Sequence, residues 1–408
     1  MLAAYSSRRW CVVFPCYDVV SRSPIKHRRR QKVYKLGRLA VPLIVTASVV
    51  LASLACGSSD SVSPTAPAAT GQEQKPTTEA QPTNTPRPTP VPPTATPQPM
   101  GMSRSNPFPR SEVVAAPNWD VQVLDVMRGD EAWQAIQTAN QFNEPAPEGM
   151  EYLLLRPHVK CTYNDSEEHL ISGNDFKVTG DRLAEYSGAY AVEPDPQLDA
   201  QLFKDGETEG WSAYLVGQGE GNLILIVDEL FSFDENRRRF IALDEGASIS
   251  VAPELSEIEP TDLGKERSNP APFGEMVVTE DWQVTFLEAV RGEGAWSMVQ
   301  EANEFNEPPS EGMEYIAVKV HVRYIGTEDE STQIDGSYFQ TTGSANVLYA
   351  LPSVVDPAPP LEATLFAGGG YEGWVVLQAA QGETDMAAVF EPLFSFSSAN
   401  KRFMSLEP

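Results

Sequence analysis

From residue 104 onward, apolar and polar side chains alternate along the chain. In Tyr315-Ile-Ala-Val-Lys-Val-His-Val-Arg-Tyr324, residues Ile316, Val318, Val320, Val322 and Tyr324 share one face, while Lys319, His321 and Arg323 share the other. A period of two belongs to a strand with one side in a core and the other in water. An earlier stretch keeps the same phase, with Leu153, Leu155, Val159 and Cys161 inward and Arg156, His158 and Lys160 outward. Further strands are predicted over 119–128, 170–178, 209–217 and 222–233, and over a matching set later in the chain, separated by Gly, Pro, Asn and Asp clusters. One segment breaks the period. Asp130 to Phe142, and later Glu293 to Phe305, place Trp133, Ile136 and Asn140 at helical spacing and end at Asn-Glu-Pro, where proline stops a helix. The pattern predicts a short helix whose Trp caps one end of a β-sandwich, and an all-β fold.

The matching set is a copy at a constant offset of 163 (267 less 104), without a gap. Arg104-Ser105-Asn106-Pro107 returns as Arg267-Ser268-Asn269-Pro270; Trp119, Arg128-Gly129 and Trp133 return as Trp282, Arg291-Gly292 and Trp296. Glu148-Gly149-Met150-Glu151-Tyr152 returns as Glu311-Gly312-Met313-Glu314-Tyr315, and Glu209-Gly210-Trp211 as Glu372-Gly373-Trp374. The period is too long for a solenoid, so this is a duplicated domain. It spans 104–245 and 267–408, with 246–266, carrying Pro253 and Pro260, as a short linker.

These motifs carry a resemblance. Asn-Pro near the start, a Trp-bearing strand ending in Arg-Gly, Glu-Gly-Met-Glu-Tyr opening a long strand, Glu-Gly-Trp, and a closing Arg-Phe pair (Arg239-Phe240, Arg402-Phe403) resemble a bacterial family of extracellular immunoglobulin-like domains of unknown function. That family occurs in stalked lipoproteins and shares its fold with a mycobacterial secreted immunoprotective antigen. The resemblance covers both copies. It implies two tandem immunoglobulin-like sandwiches and an extracellular location, and it supplies no functional residues.

Ahead of the copies the pattern changes twice. Residues 26–38, KHRRRQKVYKLGR, are densely basic; 39–55 carry no charge; Cys56-Gly-Ser-Ser follows. Basic, apolar, then small is the order of a secretory signal. The cysteine after Ser53-Leu54-Ala55 resembles that of a lipoprotein signal, in which the thiol is acylated and becomes the new N-terminus. Ser53 stands where that pattern carries an aliphatic residue. The alternative is an uncleaved membrane anchor, since about 17 apolar residues is the lower edge of a spanning helix. Residues 1–55 are thus read as signal peptide or anchor, with Val33 as an alternative start that would give a compact signal. Residues 56–103 are almost entirely Ser, Thr, Pro, Ala, Gln and Gly. So little apolar surface does not offset the entropy of ordering, so a disordered, semi-rigid Pro/Thr-rich stalk is expected.

Charge narrows the partners. Residues 1–55 hold ten Lys/Arg and one acid, Asp18. Removing them from 30 basic and 57 acidic residues leaves 20 against 56, a net charge of −36. Nucleic-acid binding rests on Lys/Arg neutralising phosphate, so a nucleic-acid partner is excluded. Of four cysteines, only Cys56 and Cys161 lie beyond residue 55, and no disulfide framework is expected.

Candidate chemistry is sparse. His158 and His321 sit between cations on an outward strand face, where pairing with acids on the neighbouring strand is expected rather than ligand binding. His169 aligns with Thr332, so no second histidine stands at metal-ligand spacing. The acidic tips Asp165 to Glu168 and Glu328 to Glu330 lack the alternating ligands and central glycine of a calcium loop. Trp211 and Trp374 are read as core, and so is Cys161, which has Tyr324 as its counterpart. No nucleophile elbow or phosphate-binding glycine loop occurs. The expectation is therefore a non-catalytic cell-surface lipoprotein on the outer face of the bacterial cytoplasmic membrane, acylated at Cys56, with no metal or cofactor. Its two modules would bind a cell-wall or protein ligand. A structural spacer of the envelope is the alternative, and an extracellular enzyme with an unrecognised site stands behind both.

Overall fold

The computed structural model describes residues 99–228, 237–392 and 400–407. The signal or anchor segment with Cys56, nearly all of the stalk and the end of the strand expected over 222–233 lie outside the described residues. The folded part begins ahead of Arg104, correcting the boundary of the stalk: the Gly101 amide donates to Asn106 and its carbonyl accepts from Phe240, and Ser103 is buried.

The fold is all-β. In the first half, Ser212–Gly217, Met150–Cys161, Trp119–Arg128 and Val114–Ala115 form one antiparallel sheet. The other runs Phe108–Pro109, Arg239–Ala242, Ile224–Val227, Phe176–Thr179 and Glu185–Tyr186. Val121, Leu153, Leu155 and Val159 of the first sheet share one core with Phe176, Val178, Leu225 and Ile241 of the second, as two facing sheets require. The second half repeats this, with Val277–Val278, Trp282–Arg291, Met313–Tyr324 and Gly370–Ala380 facing Leu348–Tyr349, Phe339–Thr342, Ala387–Phe390 and Arg402–Ser405.

Two strands differ from their expected form. The span 170–178 is divided: His169–Ser172 pairs with Asp199–Leu202, a one-turn helix Gly173–Asp175 follows, and Phe176–Thr179 joins the main sheet. The Ser172 side chain accepts from the Asn174 amide and Asp175 accepts from the Ser172 amide, so this capping box lets the chain change sheets. The span 209–217 is also broken, into Glu207–Glu209 and Ser212–Gly217, although Gly370–Ala380 runs through unbroken.

The helices α1 (Gly129–Ala139) and α2 (Glu293–Ala302) lie where the sequence places them, but not as end caps. Ala132 and Ile136 pack on Tyr152, Leu154 and Ala213, residues on the outer face of the sheet whose inner face carries Leu153 and Leu155. Ala295 and Val299 do the same on Tyr315, Ala317 and Trp374. Half of a long strand is therefore buried on both sides. The reason lies in its outward residues, which are apolar up to Leu154 and charged or polar from Arg156 onward, so only the first part offers a surface for a helix to cover.

The linker 246–266 is packed. Ala247 and Ile249 join Ile224, Ile226, Phe240 and Phe366 in a small core, and Leu255, in the turn Pro253–Glu257, is buried in the second half's core. The two halves also touch directly. The Arg104 side chain, wholly buried, lies 3.7 Å from the centre of the Phe366 ring and donates to Asp329 through Nε at 2.7 Å. The Leu183 carbonyl accepts from the Phe366 amide at 2.8 Å. Glu185 receives the Ser331 hydroxyl at 2.7 Å and Lys177 at 2.8 Å.

Candidate functional site

The best-built surface feature occurs twice, at the C-terminal end of each helix. α1 forms because Ala132 and Ile136 stand one turn apart on the buried side, while Asp130 and Glu131 sit in the first turn, where the helix dipole favours acids. It ends when the Asn140 amide reaches back to the Ile136 carbonyl. The Asn140 side chain then accepts from the Phe142 amide at 3.0 Å, closing a turn that points the chain away from the sheet. Asn143 locks the result. Its side-chain amide donates to the carbonyls of Ile136 (2.8 Å) and Val192 (2.9 Å), and its oxygen accepts from the Val192 amide (2.9 Å). The Tyr152 hydroxyl donates to the Glu144 carbonyl at 2.9 Å, and Trp133 stacks on the Tyr152 ring, centres 5.7 Å apart.

The second half builds the same clasp. Asn303 accepts from the Phe305 amide, Asn306 bonds both ways with Val355 and donates to the Val299 carbonyl, and Tyr315 donates to Glu307. The outcome is an exposed aromatic on a fixed loop. Phe142 is 81 % and Phe305 84 % exposed, each beside an exposed valine, Val192 or Val355. The segments expected to be helical to Phe142 and Phe305 stop at Ala139 and Ala302, so the tryptophans are half-buried and the phenylalanines face water. The available signal was the pair of asparagines around each Phe, which bend the chain out of helical register.

In the first half a groove of about 510 Å³ runs beside the rim, lined by Gln134, Ala135, Thr138, Val192, Glu193 and Asp195 among others. Burial raises the Glu193 carboxyl above its ordinary range. Its counterpart Asp356 accepts from the Val376 amide at 2.9 Å, yet burial outweighs that bond and its pKa is pushed up to about 6. The groove thus offers amide, hydroxyl and carboxyl groups beside apolar surface. Its own charges are acidic, so it suits a neutral or cationic ligand.

The other candidates fall elsewhere. His158 lies 3.5 Å from Glu207, Lys160 3.7 Å from Asp205, and Lys319 3.4 Å from Glu372, all across an outward strand face. His321 stands opposite Glu372 in the strand register. His169 binds Asp165 at 2.9 Å and stacks on Tyr163. Asp165 also caps the Glu167 amide, and Asp329 is taken by Arg104, so both acidic tips serve the protein's own structure. Trp374 is 9 % exposed beneath α2, while Trp211 is half-buried with the Arg156 guanidinium 5.9 Å from its ring. Cys161 is fully buried, and burial pushes its thiol pKa up. Among the described residues there is no group of three or more His, Cys, Asp or Glu placed to hold a metal ion. Among them, too, no helix is long and apolar enough to cross a membrane.

No protein-family model matches the chain. No curated protein matches it either. Several solved structures are similar to part of it, among them three bacterial proteins. The candidate lipoprotein ycdA of Bacillus subtilis shares 12 % identity over 32 % of this chain at a TM-score of 0.24, and the match spans only 38 % of ycdA. The yjhA protein of Bacillus subtilis shares 11 % over 34 % of this chain and 99 % of its own, at 0.24. An uncharacterized beta-sandwich protein of Clostridium difficile 630 shares 11 % over 37 % of this chain and 100 % of its own, at 0.23.

Proposed function

We propose that the chain is a non-catalytic surface protein, tethered through its N-terminal segment, that grips a neutral or cationic envelope polymer or protein through the rims at Phe142 and Phe305. The observation that carries this reading is the repeated clasp. Two asparagines and a tyrosine hold each phenylalanine in water, an arrangement that costs apolar exposure in both halves and leaves the phenylalanines outside the cores. Held rigid, an exposed aromatic loses little entropy on binding. An acidic groove and a strongly acidic chain disfavour anionic polymers such as nucleic acids.

Binding of the full chain to purified cell wall, before and after removal of anionic polymers, tests it. Phe142→Ala with Phe305→Ala should lower affinity at least tenfold with the fold intact, and each single change should lower it less. Unchanged binding by the double variant would remove the rims from the reading. The tether reading has its own measurement: intact mass of membrane-extracted protein should show an acylated N-terminus at Cys56, and Leu54 or any earlier residue still attached would replace the lipid with an uncleaved anchor.

A further inference from the structure

The contact that joins the two halves uses a turn of the first and a tip of the second, and the duplication leaves a second example of each exposed. The first half contributes Arg104 and the turn at Leu183; the second contributes Phe366 and the tip at Asp329. At the offset of 163, Arg267 stands for Arg104 and Asn346 for Leu183, while Phe203 stands for Phe366. Arg104 and Phe366 are 0 % exposed; Arg267 is exposed and Phe203 is 58 % exposed.

The backbones match as well. Leu183 and Asn346 both adopt left-handed geometry, φ 59° and 61°, with amides bonded to the carbonyls of Gly180 and Gly343. This is the turn that aims the Leu183 carbonyl at the Phe366 amide. Beyond it, Val347 and Leu348 are 46 % and 51 % exposed. On the other face, the Phe203 carbonyl accepts from Gly206 as that of Phe366 does from Gly369, both at 2.8 Å. Leu170, 52 % exposed, extends the apolar surface. The charges are complementary too. Ser166 replaces Asp329, but Glu167 and Glu168 follow it, and they would meet Arg267, which within its own half bonds the Asn346 side chain and the Gly343 carbonyl, and Lys401, which stands for Arg238 and pairs with Glu391.

We propose that the chain associates with further copies of itself head to tail, the Arg267 face of one molecule docking on the Phe203 face of the next by repeating the contact between its own halves. The partner is a second copy because the exposed turn beside Arg267 and the exposed tip at Phe203 repeat a turn and a tip that already meet within the chain. The two faces differ, so the contact is heterologous and continues into an open row rather than closing into a symmetric dimer. It does not depend on what the rims bind.

Sedimentation of the detergent-solubilised full chain over a range of concentrations tests this. The parent should pass the dimer mass as concentration rises, with the shift weakened by salt. Arg267→Glu alone and Phe203→Asp alone should each stay monomeric, because every contact needs both faces. Mixed one to one, the two variants should form heterodimers and nothing larger, since each retains the face that the other lacks. A monomeric parent, single variants that associate as the parent does, or a mixture that stays monomeric would each overturn the proposal.

Discussion

Asp356 stands in the second half where Glu193 stands in the first, and burial raises both carboxyls. The consequence for stability follows from the sign. An acid whose folded pKa lies above its ordinary 3.8 binds its proton more tightly in the folded state, so the fold is favoured at low pH. That contribution is lost as pH rises from about 4 to about 6 and stays lost above. A shift of this size is worth about 1 to 2 kcal/mol once solvent screening of the half-buried group is allowed for. Asp356→Asn keeps an oxygen for the Val376 amide and carries no charge. It should match the parent near pH 4 and exceed it in stability at pH 7.5, as read by denaturant unfolding at the two values. A variant less stable than the parent at both would mean that the amide bond, not the buried charge, governs this site.

At the scale of elements, the strands were legible wherever one face was apolar and the other charged. Trp119–Arg128 has the expected bounds, and the inward set Leu153, Leu155, Val159 and Cys161 is buried as its phase implies. What the phase does not carry is what lies over the outward face. Tyr152 and Leu154 are buried because α1 folds back onto them, and periodicity along one strand is silent about a neighbour attached at its far end. The helix was readable from Trp133 and Ile136, but its exit was not, because the bends at Asn140 and Asn143 come from side-chain bonds to the backbone rather than from hydrophobic spacing. The exposure of Phe142 was hidden for that reason: the residue lies inside the segment that reads as helix, and only the asparagines turn it outward. The junction was equally illegible, since Arg104 and Asp329 are 225 residues apart and each resembles an ordinary surface charge.

At the scale of the molecule, the junction decides whether the halves act separately. Phe366 is fully buried there, beneath Arg104 and against Ile249 and Phe240. Truncating a buried phenylalanine costs about 3 to 5 kcal/mol. Phe366→Ala also leaves the Arg104 guanidinium without its ring. Calorimetry should show the parent unfolding in one transition, and the variant in two, the lower one well below the parent's midpoint. A variant with a single unshifted transition would mean that the junction contributes little. If the halves do move as one body, the distance between Phe142 and Phe305 is set by packing rather than by the 21 residues of 246–266. A flexible connection lets two sites reach targets over a range of separations; a fixed one makes the pair a caliper. A polymer whose repeat matches the jaw is held at both points, and one of different period, however similar in chemistry, is held at one.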